Sequence, residues 1–217
     1  KTTLKYVGLS DAVINMNRTD SVWNYQFLVD YFSSPGTTGS DKKAVQVDLK
    51  TLELKNIVFN RIDKWIGQDM KASIGKLDLT ADEIDFSKKK IALNQLSFYK
   101  PVFSISDYHG NRPEPDISLT SFSNPTDSGQ LQWNTAGWQM SIKKISLHDG
   151  IFISEKETAR MPYTDRFDGQ HLQFAKINGT LSNLLFAKDS ITTNIKISAR
   201  EKSGFEVKEL LARMKVT

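Results

Sequence analysis

The sequence predicts a mainly β chain: an elongated, curled antiparallel sheet, as an open groove or a two-layer sandwich, with one amphipathic helix near the N-terminus and a short helix near the C-terminus. Three observations carry this. From Met70 to Tyr108 apolar residues alternate with polar ones: Leu77 with Leu79, Ile84 with Phe86, Ile91 with Leu93, Leu96 with Phe98, Phe103 with Ile105. Successive strand side chains point to opposite faces, so these runs make a sheet with one apolar side. An eight-residue β module recurs three times. Helical spacing occurs convincingly only once, near residues 21–33.

In chain order, residues 2–17 read as one long strand or two short ones. Asp20 and Ser21 are N-cap residues in type. Behind them Trp23, Phe27 and Tyr31 recur at four-residue spacing with Leu28 and Phe32 alongside, until Pro35-Gly36 ends the run. A helix plugging one end of a β core fits better than a membrane-surface helix, because its polar positions are not basic.

The module has the form apolar-x-apolar-x-x-apolar-x-apolar. It runs Val47–Leu54, Ile91–Phe98 and Met140–Leu147, with starts 44 and 49 residues apart, and each copy is followed by a second apolar burst. Two polar residues in mid-module shift the parity by one, which in a flat strand would turn the second half to the wrong face. A bulge or bend is therefore expected at Lys50-Thr51, Asn94-Gln95 and Lys143-Lys144. Units of this kind build an elongated sheet by stacking; chance similarity between β segments is the alternative.

The chain reads as one β-rich segment over residues 1–217. Halves 1–108 and 137–217 are possible, separated by the polar Gly/Pro loop 109–136. Strands return at His171–Ile177, Thr180–Phe186 and Ser190–Ser198, with Asn178-Gly179 as a tight turn between the first two. Leu210, Leu211 and Met214 suggest the short C-terminal helix, near 206–212, before a last strand.

The 217 residues carry a net charge of +4, with cations and acids interleaved except at Lys88-Lys89-Lys90, a solvated turn or a contact for an anionic surface. No nucleic-acid motif occurs. There is no cysteine, which excludes disulfides and thiolate metal sites. No apolar run reaches the roughly 20 residues that span a bilayer. The chain starts at Lys1 inside an alternating pattern and stops within Lys215-Val216-Thr217, so it reads as a piece of a longer protein. His109, His148 and His171 lack metal-ligand spacing, and Asp107, Asp149 and the acids Asp82, Glu83 and Asp85 form no recognisable catalytic set. The reading is a non-enzymatic protein with no cofactor and no metal.

Residues 138–216 resemble the AsmA-like superfamily, in its TamB-type branch of translocation and assembly modules. The words that carry this are Trp138-Gln-Met-Ser-Ile-Lys-Lys-Ile-Ser-Leu-His-Asp-Gly150, Phe167-Asp-Gly-Gln-His-Leu172 and Arg200-Glu-Lys-Ser-Gly-Phe205 with Leu210 and Leu211. The stretch from Lys76 to Phe103 and the segment 23–32 are similar to these proteins too.

The resemblance implies a periplasmic segment close to the N-terminus of a Gram-negative protein, tethered to the inner membrane by an anchor outside this sequence. It implies a β-taco whose apolar groove carries phospholipid acyl chains between the membranes, and, through the full-length protein, an outer-membrane β-barrel partner. The groove set is Leu77, Leu79, Ile91, Leu93, Met140, Ile142, Leu172 and Phe174, the period-two residues of successive strands. The alternative is a β scaffold assisting assembly or secretion of outer-membrane barrels and autotransporters by strand pairing.

Overall fold

A computed structural model describes residues 5–27, 30, 49–85, 87–113, 134–163 and 165–216. It contains ten strands: β1 (Tyr6–Ser10), β2 (Val13–Arg18), β3 (Thr51–Asp63), β4 (Gln68–Asp85), β5 (Lys90–Tyr99), β6 (Val102–Asp107), β7 (Gln139–Lys156), β8 (His171–Ala187), β9 (Ser190–Glu201) and β10 (Glu206–Val216). All ten belong to one sheet in the order β1-β3-β4-β5-β7-β8-β9-β10. β2 continues the line of β1 beside β3, and β6 continues β5 between β4 and β7. Pairing is antiparallel except where the two interrupted strands meet β3 and β7. Strands from before residue 109 and after residue 136 therefore share one sheet. Among the described residues the ladder runs from β1 to β10 without the two ends pairing.

Two transverse lines of irregular backbone cross the sheet. The first falls where the module parity slips. The Lys5 carbonyl accepts N–H bonds from both Lys50 and Thr51, at 2.9 and 3.1 Å, so two residues oppose one. The β4–β5 register shifts between Thr80 and Glu83, opposite Asn94. Lys143 and Lys144 both point to solvent between inward Ile142 and Ile145, and Asn183 opposite them has a φ of 55°.

The second line was not foreseen. Asp11, Asn56, Lys100, Asp149 and Lys176 have φ of 55, 53, 50, 54 and 52°, one in each ladder position from β1/β2 to β8 except β4, where Gly75 stands. At each line two successive side chains, such as Lys55-Asn56 and His148-Asp149, lie on the polar face. Crowding that face bends the strands toward the apolar side.

Two local expectations fail, and a third is only partly described. The segment expected as a helix over 206–212 is strand β10, paired with β9 from Glu206↔Arg200 to Val216↔Ile191. Glu-Leu-Leu-Ala-Arg-Met are helix formers, but an open edge at β9 and the alternation Leu210, Ala212, Met214, Val216 decide the matter. Asn178-Gly179 is no turn: β8 runs unbroken through it. A Cβ on Gly179 would sit 2.4 Å from the Lys196 carbonyl oxygen, so the glycine admits the β9 backbone. Of the helix expected over 21–33, residues 28, 29 and 31–33 lie outside the described residues. Of those described, Ser21 and Val22 bend, Asn24 and Tyr25 turn, and Gln26, Phe27 and Asp30 are helical.

Candidate functional site: an uncovered apolar sheet face

Directly paired residues in adjacent strands carry side chains on the same face, so register decides what the face contains. Leu52 faces Leu79, Leu79 faces Leu96, Leu96 faces Ile145, Ile145 faces Leu181, and Leu181 faces Ile195. One row along, Leu54 faces Leu77, then Phe98, then Leu147. Beyond the second bend, Phe59, Ala72, Phe103, Phe152 and Phe174 form a further row, with the Phe103 and Phe152 rings stacked at 6.0 Å. Apolar rows thus cross nearly the whole sheet without interruption.

All eight residues of the sequence-derived groove set lie on this face. Ile91 pairs with Met140 and Leu93 with Ile142. Leu77 and Leu79 belong to the rows above, and Phe174 pairs with Phe152, two residues from Leu172 on the same side. The set omitted Leu96, Phe98, Ile145, Leu147, Leu181 and Ile195, although the modules displayed the first four as apolar positions.

Cover for the face is scant. Among the described residues, backbone contacts between strands are confined to ladder neighbours. Among the described residues, Ile57, Leu77, Leu93 and Ile142 are the buried apolar side chains, at 5–7% exposure. Leu79, Ile91, Met140, Leu172 and Phe174 are half-buried. Inner residues of a closed sandwich lose nearly all their exposure against the opposing sheet.

The end of the face beside the β3–β4 turn is polar. Arg18 donates from Nε and Nη2 to the two carboxylate oxygens of buried Asp63, at 2.6 and 2.9 Å, and Arg61 adds a third bond at 2.6 Å. Trp23 packs its ring on both guanidinium groups, at 4.7 and 5.1 Å. Burial raises the Asp63 carboxyl, but the Arg18 bonds, the Ile66 amide and the two arginine charges outweigh it and hold the group below the usual carboxylate range. Tyr108, half-buried and donating to Asp69 at 2.8 Å, is pushed up to about 12 by that partial burial and the carboxylate.

The remaining sequence candidates do not converge on a chemical centre. His109 is exposed, His148 stacks on Tyr99 at 4.7 Å, and His171 lies between Glu155 at 2.5 Å and Thr158 at 3.1 Å. Asp107 accepts from Gln68 at 2.9 Å, and the Asp149 amide donates to Asn178. Asp82, Glu83 and Asp85 pair with Lys143, Lys90 and Lys88, so two members of the lysine run are neutralised locally. Among the described residues no group of three or more His, Asp or Glu is placed to hold a metal ion, and no helix is long and apolar enough to cross a membrane. No family model, curated protein or solved structure matches the chain.

Proposed function

We propose that this chain is a non-enzymatic periplasmic segment of an inner-membrane-anchored AsmA/TamB-like protein. Its apolar face holds phospholipid acyl chains in transport between the inner and outer membranes, and so serves outer-membrane biogenesis. The observation that supports this best is the unbroken set of apolar rows on a single sheet, half-exposed and without a second layer among the described residues. A face of this kind needs an apolar occupant. Each methylene that leaves water there contributes about 0.8 kcal/mol. An acyl chain can slide along such rows because nothing in them is directional.

The test is organic extraction of the purified protein followed by mass spectrometry. Co-purifying phospholipid at a fixed ratio is expected, and lost when Leu79 and Ile91 are both changed to Asp. A lipid-free wild type that also fails to take up a fluorescent phospholipid from vesicles sinks the reading. The second reading, a scaffold that pairs with unfolded outer-membrane strands, draws on the exposed edge strand β10, where Leu210 and Leu211 are 49 and 66% exposed. A clean extract together with binding of unfolded barrel peptides would favour it.

A further inference from the structure

The apolar face ends, beside the β3–β4 turn, in a row of polar residues, and we propose that this row seats the headgroup of a bound phospholipid. Within it Asp107 and Lys156 select a zwitterionic headgroup with a primary ammonium, as in phosphatidylethanolamine. The inference rests on the acyl-chain reading above and adds to it where the head lies and which head it is.

Register carries the first part. Arg18 pairs with Asp63, Asp63 with Gln68, Gln68 with Asp107 and Asp107 with Lys156. These residues stand four positions along their strands from Ile14, Phe59, Ala72, Phe103 and Phe152, with no register shift between, so all five share the apolar face. The row at the opposite end of the strands is apolar throughout. Ile84 pairs with Ile91, Ile91 with Met140, Met140 with Phe186 and Phe186 with Ile191. Solvation of strand ends alone would make both rows polar. The face is instead graded along the strands from charge to hydrocarbon, as a phospholipid is from head to tail. A tail leaving Asp107 and Lys156 passes Ile105 and Leu172, then the row of Phe103, Phe152 and Phe174.

Charge carries the second part. At the Arg18 end of the row the charges are matched. Asp63 is held by both arginines, and Gln68 accepts from Arg61 at 3.3 Å and donates to Asp107 at 2.9 Å. At the Lys156 end they are not. Gln68 occupies Oδ1 of Asp107, and among the described residues neither Asp107 Oδ2 nor the exposed Lys156 ammonium has a hydrogen-bond or ion-pair partner. Yet the two residues are register partners on adjacent strands, about 4.8 Å apart. An anion and a cation thus stand one strand step apart, each available to a ligand. Beside them opens a recess of about 600 Å³ lined by Asp107, Tyr108, His109, Lys156, Glu157 and Thr158. A phosphoethanolamine head carries the complementary pair, its phosphate and ammonium separated by a two-carbon link. The phosphate accepts from Lys156, and the ammonium donates to Asp107 Oδ2. A choline head has no N–H to give the carboxylate, and a glycerol head sets no cation against it.

The chain is incubated with vesicles holding phosphatidylethanolamine, phosphatidylglycerol and phosphatidylcholine of one acyl composition in equal parts, then re-isolated and extracted for mass spectrometry. Charge-assisted bonds to both ends of the head should enrich bound phosphatidylethanolamine about tenfold over the other two. Asp107→Asn keeps an oxygen for Gln68 but loses the anion, and the enrichment among the lipids still bound should disappear. Lys156→Gln should lower it as well, whereas Lys71→Gln, on the polar face of β4, should leave it unchanged. Soluble phosphoethanolamine at the same concentration should not displace the lipid, because the tails supply most of the affinity. Bound lipid in the vesicle proportions overturns the headgroup site and leaves the acyl-chain reading standing, as does enrichment that survives both substitutions. Displacement by phosphoethanolamine overturns it too, as the mark of a site for the free headgroup. A chain that takes up no phospholipid of any kind sinks the acyl-chain reading, and this inference with it. Should Asp107→Asn fail to fold, the exposed Lys156→Gln decides.

Discussion

Leu79→Asp tests whether the apolar face is open. Leu79 lies between Leu52 and Leu96 in the central row and is half-buried. Full burial of a leucine contributes about 2 kcal/mol, so the half-buried side chain loses about 1 kcal/mol on replacement. Aspartate is a poor strand residue and adds up to about 1 kcal/mol. Its carboxylate still reaches water across the open face, so no desolvation term follows. The sum, about 2 kcal/mol, lowers the melting temperature of a chain this long by roughly 4–8 °C. Leu93→Asp is the contrast. At 5% exposure Leu93 is fully buried, and the same charge there has no partner and no water. It costs several kcal/mol and should prevent folding. Thermal unfolding followed by circular dichroism at the strand minimum measures both, with phospholipid content determined on the folded variant. If Leu79→Asp is as damaging as Leu93→Asp, the row is packed core and the open-face argument is wrong.

Four further outcomes follow from local geometry. Asp63 holds two arginines from full burial, so Asp63→Ala should cost about 3–5 kcal/mol and release Trp23, seen as a shift in its fluorescence. Because the folded-state carboxyls of Asp63 and of Asp168, which accepts bonds from Arg160 on both oxygens, are depressed, their stabilisation is present above the ordinary carboxylate pKa of about 4. It is lost as pH falls through the folded values, and an acid titration of Asp63→Asn should show a shallower loss than wild type; an identical acid limb would contradict this. Asn56 sits at a φ of 53°, so Asn56→Val should cost about 1–2 kcal/mol, and clearly more than Asn56→Gly, in denaturant unfolding. Tyr108, raised to about 12, stabilises fully below pH 10 and less as pH approaches that value, so absorbance titration near 295 nm should show one late tyrosine that disappears in Tyr108→Phe.

Alternation alone determined that this chain is a sheet with one apolar side, because side-chain direction in a strand follows from backbone geometry. Parity alone also located the bends at Lys50-Thr51, Asn94-Gln95 and Lys143-Lys144, since each module would otherwise turn half its leucines to water. The same two-outward pattern occurs at Lys55-Asn56, Tyr99-Lys100 and His148-Asp149. That second signal was legible only as a following apolar burst, because one side of each slip is a short segment that pairing has to fix. Tertiary pairing decided the rest. It drew helix-forming Glu206–Val216 into β10 because β9 offered unpaired backbone and apolar side chains to cover. It kept Asn178-Gly179 inside β8 because β9 passes too close for any side chain at Gly179. And it joined Leu52 to Ile195 across six strands into one face. No sequence window holds that row, since residues 143 positions apart in the chain become parts of one line only when register is set.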